Sequence, residues 1–335
     1  MGEGRLRVIS TDEGRALVEA REVKVHYKVS TGLLETLLGR AKVVRAVDGV
    51  NLSIPRGGSV GLVGESGSGK TTLGRALLGL VELEGGSVLF DGTDISSLKG
   101  SALKAFRRRT QMVFQDPYTS LDPRMKIGHQ VEEPLRVHGI CGNKEERRQR
   151  VLEMLEKVGL VPAAEFYSRY PHQLSGGQRQ RAAIARALVV GPEFLVADEP
   201  VSNLDVSARA QILRLLRDLR KEMNLTLLFI THDLAAAWSV CDRIDVMYLG
   251  RIVEEGAREE VLRDPLHPYT QALVSVTRDP KRRKGEGPKI SGEVPSPMNV
   301  PQGCRFHPRC PFAMDICRIF VIRLVSVSLP IDDRA

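Results

Sequence analysis

The sequence predicts an α/β fold in which helices flank a mostly parallel sheet. Apolar segments typical of strands alternate with amphipathic helical segments from about residue 17 to residue 246. A glycine-rich stretch, GESGSGKT at Gly64–Thr71, follows the apolar run VGLVG and precedes TTLGRALLGL at helical spacing. This strand–loop–helix order is the context that a phosphate-binding loop requires. With 335 residues, 42% of them hydrophobic, the chain can bury one large core and a smaller appendage.

The first glycine-rich stretch fits the P-loop pattern G-x-x-x-x-G-K-[ST]. In such a loop backbone N–H groups surround phosphates, and the lysine adds a fixed positive charge. By itself the pattern predicts only some P-loop NTPase. The candidate nucleotide-binding residues here are Gly64, Glu65, Ser66, Gly67, Ser68, Gly69, Lys70, Thr71 and Thr72.

A second glycine-rich element, LSGGQ, stands just before the helical run QRQRAAIARALVV. The N-terminus of that helix offers unpaired N–H groups and the positive end of a helix dipole, which together favour an anion. The sequence thus predicts two phosphate-binding loops on one chain. The candidate residues of the second loop are Ser175, Gly176, Gly177 and Gln178.

Two apolar stretches further along the chain end in polar side chains. FLVADEP ends in Asp198 and Glu199, and LLFITHD ends at His232. Asp198, where its strand stops, is placed to hold Mg²⁺ through water while Thr71 supplies a hydroxyl ligand. Taken singly, an Asp-Glu pair after a strand usually marks a turn, and a single histidine is usually structural. The order of all these motifs argues against that reading.

Two phosphate-binding loops followed by these strand ends resemble the ATPase subunits of ABC transporters. The resemblance implies a RecA-like P-loop core with an antiparallel β subdomain and an inserted helical subdomain. We expect an ATPase domain over residues 1–275, with the helix-rich, proline-interrupted residues from about 116 to 172 as the helical subdomain. Residues 276–335 then form a small C-terminal appendage.

The resemblance also implies roles for single residues. Glu199 corresponds to the general base that polarises the attacking water, and His232 to the residue that holds the γ-phosphate and water in line. Gln115 in MVFQDP takes the Q-loop position, which senses Mg²⁺ and the transmembrane partner. Asp205 ends SNLD at the D-loop position. Tyr27 in KVHYKV resembles the aromatic that stacks on adenine; the alternative is a tyrosine in an edge strand.

The same resemblance predicts ATP and Mg²⁺ as ligands and several protein partners. In that family the second loop closes on the ATP of a partner subunit, so we expect a sister ATPase, or a second copy of this chain. No run reaches 18 apolar residues, and MGEGRLRVIS lacks the apolar region of a secretory signal. We therefore expect docking on two transmembrane permease subunits at the cytoplasmic face, and indirect coupling to an extracellular substrate-binding protein.

The chain is basic, with a formal net charge of +8 and a pI near 9.3. That charge agrees with a surface close to anionic head groups and also with nucleic acid. The alternative function is therefore a soluble ABC-type ATPase acting on nucleic acid or the ribosome. Aromatic residues do not interleave with the basic clusters, and the chain has neither a second ATPase unit nor a long coiled-coil insertion. We expect no nucleic acid as partner.

The C-terminal half indicates a branch of the family. DPLHPYTQAL and GEVPSP…PQGCRFHPRCP resemble the oligopeptide and dipeptide permease ATPases, and VADEPVSNLDVS resembles the second of their two ATPase subunits. Peptides are the expected cargo, although some members of the branch import oligosaccharides or nickel. The D-loop carries Asn203 where alanine is usual, and the tail after Cys317 differs from the family pattern.

Five cysteines without a secretory signal do not predict a disulfide framework. Cys304, Cys310 and Cys317 fall where relatives carry a [4Fe–4S] cluster, but only three of the four thiolates are present. His307 could complete a Cys₃His set, which would suit Zn²⁺. Three alternatives remain open: an iron–sulfur cluster, a zinc site, or no metal.

Overall fold

The computed structural model describes residues 16–29, 42–116, 120–276, 288, 290–320 and 324–325. The strands are β1 (Ala16–Val29), β2 (Lys42–Pro55), β3 (Ser59–Val63), β4 (Gly85–Phe90), β5 (Thr93–Asp94), β6 (Thr110–Val113), β7 (Phe194–Asp198), β8 (Thr226–Thr231), β9 (Arg243–Tyr248), β10 (Arg251–Ala257) and β11 (Leu324–Val325). The helices are α1 (Lys70–Leu77), α2 (Gly100–Arg109), α3 (Ile127–His138), α4 (Lys144–Lys157), α5 (Ala163–Ser168), α6 (Gly176–Leu188), α7 (Val206–Glu222), α8 (Leu234–Val240), α9 (Arg258–Arg263) and α10 (Pro268–Val276).

A seven-stranded sheet forms the centre of the molecule, in the order β11-β10-β9-β3-β8-β7-β6. Strands β6, β7, β8, β3 and β9 run parallel, and β10 pairs antiparallel with β9. Strands β3, β7 and β8 are buried at every position, because both faces of a parallel sheet are covered. The carboxyl ends of these strands therefore lie side by side at one edge of the sheet.

A separate four-stranded antiparallel sheet has the order β2-β1-β4-β5. Its apolar residues share a second hydrophobic cluster with helix α1 and with one face of the central sheet. Phe90 of β4 and Phe106 of α2 meet edge to face there, with ring centroids 5.3 Å apart. The antiparallel β subdomain and the α/β core expected from the sequence are thus confirmed.

The helices α3, α4 and α5 form a helical unit between β6 and β7. Their apolar residues at helical spacing, such as Val131, Leu135, Val151 and Leu155, are fully buried and pack with α6. A short 3₁₀ turn, Pro171–Gln173, connects this unit to α6. The helical unit thus leads directly into the second glycine-rich loop.

The C-terminal segment, residues 290–320, packs against the cassette. Phe306 contacts Tyr248 of β9 and Tyr269 of α10, with ring centroids 5.3 and 5.4 Å apart. Arg305 is buried, where it forms an ion pair with Asp48 of β2 and donates to the carbonyl of Leu249. Among the described residues no helix has the length and apolar character needed to cross a bilayer.

Candidate functional site

The P-loop connects the carboxyl end of β3 to the first turn of α1. Two of its glycines lie where a side chain cannot fit: a Cβ would come within 2.1 Å of the Met247 carbonyl at Gly64 and within 2.0 Å of the Ala46 carbonyl at Gly69. Gly69 also has a φ of +103°, in the left-handed region, and caps α1. The loop therefore folds back tightly and places backbone N–H groups of its last residues at the helix N-terminus.

Lys70 lies at the centre of this loop. Its Nζ donates to the carbonyl oxygens of Gly64 and Glu65 at 2.7 and 2.8 Å and approaches Ser68 Oγ at 3.4 Å. The side chain is buried, and burial lowers the pKa of Lys70, although nearby carboxylates oppose that shift. The loop thus holds a desolvated ammonium group at a position where an anion can bind.

Thr71 and Asp198 bring two oxygen groups together beside the P-loop. Thr71 Oγ1 donates to Asp198 Oδ1 at 3.0 Å across the gap between α1 and β7. Asp198 is almost fully buried, and burial raises the pKa of its carboxyl group above the usual value. A hydroxyl and a carboxylate are the ligand types that Mg²⁺ takes in nucleotide sites, so this pair fits that ion.

Two sequence-predicted residues, Gln115 and His232, converge on one carboxylate oxygen of a third, Glu199. Glu199 Oε2 accepts a hydrogen bond from Gln115 Nε2 at 3.2 Å and lies 3.3 Å from His232 Nδ1. Glu199 has a φ of +44°, and its N–H donates to the carbonyl of Ile230 in β8. This backbone turn directs the carboxylate across the strand ends rather than back into the sheet.

The LSGGQ loop begins α6 with a complete capping box. Ser175 Oγ accepts from the Gln178 N–H at 3.3 Å, and Gln178 Oε1 accepts from the Ser175 N–H at 3.0 Å. Asp205 is the N-cap of α7, and its side chain accepts from the Ala208 N–H at 2.9 Å. Both caps line one open cleft, together with Gly176 and Gly177. In the described part of the chain no P-loop residue lines that cleft.

Tyr27 lies apart from these groups. It is 40% exposed near the end of β1, opposite Val44 of β2 and beyond the segment of β1 that pairs with β4. Strand β1 is an inner strand of its sheet, but at Tyr27 it has a partner on one side only among the described residues. The side chain is therefore accessible for a flat ligand.

The C-terminal cysteines are not arranged, among the described residues, as either of the two metal sites that the sequence left open. Cys304 and Cys317 are buried in the main hydrophobic cluster, and Cys310 packs against it. Burial raises the pKa of the Cys304 and Cys310 thiols. His307 Nδ1 lies 2.9 Å from the Cys304 carbonyl oxygen. No group of three or more His, Cys, Asp or Glu side chains in the described ranges is arranged to hold a metal, so neither the iron–sulfur nor the zinc interpretation is supported.

Two residues that contact the P-loop were not predicted from the sequence. Tyr269 Oη accepts a hydrogen bond from the Glu65 N–H at 2.8 Å, and Arg309 Nη1 lies 3.0 Å from a carboxylate oxygen of Glu65. Both belong to motifs, HPYT and RCP, that the sequence analysis used only to assign a branch of the family. The signal available in the sequence was Glu65, a charged residue at an x position of the P-loop pattern. A charged side chain at such a position needs a partner.

A P-loop, two carboxylates at the end of one strand and a second glycine loop capping a helix define the class of ABC-type ATPases. A family model for the ABC transporter matches residues 47–202, and one for the oligopeptide/dipeptide transporter C-terminal region matches residues 253–317. The chain belongs to the ABC transporter ATP-binding subunits that carry this C-terminal region, and it is therefore an ATPase.

Named relatives cover nearly the whole chain. A probable peptide ABC transporter ATP-binding protein of Sinorhizobium fredii is 48% identical over 314 residues, which is 93% of this chain and 87% of that protein. The oligopeptide transport protein AppF of Bacillus subtilis is 47% identical, covering 90% and 91% of the two chains. The dipeptide transport protein DppF of Escherichia coli is also 47% identical, covering 90% of each.

A solved structure with the same fold is the dimeric ATP-binding cassette MJ0796 in a post-hydrolysis state with ADP and Pi. It is 33% identical with a TM-score of 0.63, and the match covers 72% of this chain and 98% of that one.

Proposed function

We propose that this chain binds MgATP and hydrolyses it to drive peptide import through separate permease subunits. The observation that carries the proposal is the joint presence of a P-loop, a Thr71–Asp198 oxygen pair and a Glu199–His232 contact on a chain with the oligopeptide/dipeptide C-terminal region. Relatives that match nearly the full chain bear oligopeptide and dipeptide transport names, which supports peptides as cargo.

The P-loop is proposed to bind the phosphates. Backbone N–H groups of residues 64–72 would donate to phosphate oxygens. Lys70 Nζ, which now donates to two loop carbonyls, would donate to phosphate oxygens instead. Thr71 and Asp198 would hold Mg²⁺, and Gln115 would be a further ligand of the ion. When bound, Mg²⁺ neutralises charge on the phosphate oxygens. Tyr27 would stack on the adenine.

Hydrolysis is assigned to the residues at the ends of β7 and β8. Glu199 would accept the proton of the attacking water through the oxygen that now faces Gln115 and His232. His232, already 3.3 Å from that carboxylate, would keep the water in line with the γ-phosphate. Because Glu199 is largely buried while His232 is exposed, the carboxylate is the better-shielded proton acceptor.

The second loop is proposed to act on the nucleotide of another subunit. Ser175, Gly176, Gly177, Gln178 and Asp205 line a cleft with no P-loop residue among its described walls. The MJ0796 cassette, described as a dimer with ADP and Pi, supports such a pairing. We propose a sister ATPase as the partner, with a second copy of this chain as the other arrangement.

The peptide-transport names of the relatives support further partners for this chain. Two permease subunits would carry the cargo path and hold this chain at the cytoplasmic face of the membrane. An external substrate-binding protein would choose the peptide. The net charge of +8 suits a surface near anionic head groups.

The test is to purify the assembly from membranes, reconstitute it in vesicles and measure peptide uptake and ATP turnover. We expect peptide with its binding protein to stimulate turnover, and Glu199→Gln to abolish uptake while the assembly stays intact. Uptake of oligosaccharide or nickel but not peptide would overturn the assigned cargo. A chain that stays off membranes and hydrolyses ATP faster with RNA or DNA would overturn the importer itself.

A further inference from the structure

Glu65, the second residue of the P-loop, is held by three contacts. Its N–H donates to Tyr269 Oη at 2.8 Å, its carbonyl accepts from Lys70 Nζ at 2.8 Å, and its carboxylate faces Arg309 Nη1 at 3.0 Å. Arg309 Nη2 also reaches the same carboxylate, at 3.3 Å. The contacts with Tyr269 and Arg309 come from the C-terminal part of the chain, which carries no P-loop motif.

Arg309 is held in place by contacts other than its pairing with Glu65. Its side chain is only 10% exposed, and it donates to Tyr248 Oη at 3.3 Å with its guanidinium carbon 5.8 Å from that ring. It ends the 3₁₀ turn His307–Arg309, directly after Phe306, whose ring is buried against Tyr248. A guanidinium held in this way loses little further side-chain entropy when it pairs with a carboxylate.

The charge of Glu65 is unfavourable for a loop that binds a triphosphate. Burial lowers the pKa of Lys70, and the carboxylates of Glu199, Asp198 and Glu65 each act against that shift. A carboxylate near Lys70 repels phosphate oxygens bound to that lysine, and the repulsion is strong where the surroundings are partly desolvated. Arg309 supplies the only cation that pairs with Glu65 among the described residues.

We propose that Arg309 is a positioning residue of the nucleotide site, acting through Glu65. It neutralises the P-loop carboxylate and, with Tyr269, holds the backbone of Glu65 in place, so that the C-terminal segment sets the affinity of the P-loop for nucleotide. The inference rests on nucleotide binding at the P-loop and is independent of the cargo. It gives the C-terminal segment a role at the ATP site that needs no metal.

The test is a charge-rescue series on the full chain, with the dissociation constant of ATP measured by titration calorimetry in EDTA to prevent turnover. We expect Arg309→Ala to weaken ATP binding by about tenfold, which corresponds to about 1.4 kcal/mol. The double variant Arg309→Ala, Glu65→Gln should return to within about threefold of wild type, because no uncompensated carboxylate remains. Arg309→Lys should lose less than Arg309→Ala, and the loss should shrink at high salt.

Arg258→Ala is the matched control, because Arg258 also pairs with a glutamate, Glu259, and lies 5.3 Å from an aromatic ring, that of Trp238. It lies near Asp242, at the end of the sheet where β3 begins rather than where the P-loop leaves it. Its ATP affinity should equal that of wild type. A double variant that binds ATP as weakly as Arg309→Ala would overturn the electrostatic role of Arg309. If Arg309→Ala does not fold, Glu65→Gln alone decides: weaker binding than wild type would refute the proposal.

Discussion

Glu199→Gln is the substitution that tests the proposed chemistry most directly. Glu199 Oε2 faces Gln115 at 3.2 Å and His232 at 3.3 Å, and the oxygen of a glutamine can accept from both. Because His232 is 57% exposed, loss of its contact with the carboxylate should cost the folded state less than about 1 kcal/mol. An amide cannot accept a proton, however, so kcat should fall by about 10²–10⁴-fold, equivalent to roughly 2.7–5.5 kcal/mol of activation free energy.

The assay is phosphate release at saturating ATP and Mg²⁺, with ATP affinity and thermal unfolding measured on the same preparations. Affinity and unfolding temperature should match wild type while turnover is lost. Glu222→Gln is the control, since it makes the same chemical change at an exposed end of α7, where Glu222 pairs with Lys157 at 2.6 Å. A Glu199→Gln protein that hydrolyses ATP like wild type would refute the assignment of the general base.

Three further predictions concern the loop, the partner subunit and pH. Lys70→Ala should lower ATP affinity by about tenfold or more in titration calorimetry, since it removes a charged phosphate contact; unchanged affinity would contradict the placement of the phosphates. If turnover needs two subunits, ATPase activity per chain should rise with protein concentration or on adding the sister ATPase, and a constant value would exclude the shared site. Burial lowers the pKa of His267 to about 4 from 6.5, and its Nδ1 accepts from the Tyr269 N–H beside Glu254. As the pH falls, His267 takes up a proton in the unfolded chain before it does so in the folded chain. Its contribution to the free energy of unfolding is therefore fully present above pH 6.5 and is lost as the pH falls toward 4, by up to about 3 kcal/mol. Urea unfolding across that range should be flatter for His267→Gln, and an equally steep profile would assign the effect elsewhere.

Much of the candidate site could be predicted from the sequence, because its geometry is mostly local. A P-loop needs a strand, a glycine turn and a helix in immediate succession, and all three are contiguous at residues 59–77. Asp198 ends an otherwise apolar strand and Glu199 follows it directly, and parallel strands bring their carboxyl ends to one edge. The contact between Glu199 and His232 therefore follows from two local patterns and one general rule of sheets.

The contacts of Glu65 could not be predicted in the same way. Arg309 is 244 residues away along the chain, and no periodicity or spacing connects the two positions. The pairing depends on Phe306 and Arg305 being buried against β9 and β2, which is a property of packing. The cysteines show the converse, since they lie where a family resemblance implied metal ligands, yet two of the three thiols pack in an apolar cluster.

The burial of Phe306 and Arg305 also bears on how this chain could be divided for laboratory use. Both side chains are anchored in the cassette, Phe306 by Tyr248 and Arg305 by Asp48. Two co-expressed fragments, 1–276 and 290–335, should therefore associate without a connecting peptide. A fragment ending at residue 276 would instead expose Tyr248 and leave the buried Asp48 without Arg305, so shortened versions are poor substitutes for the complete chain.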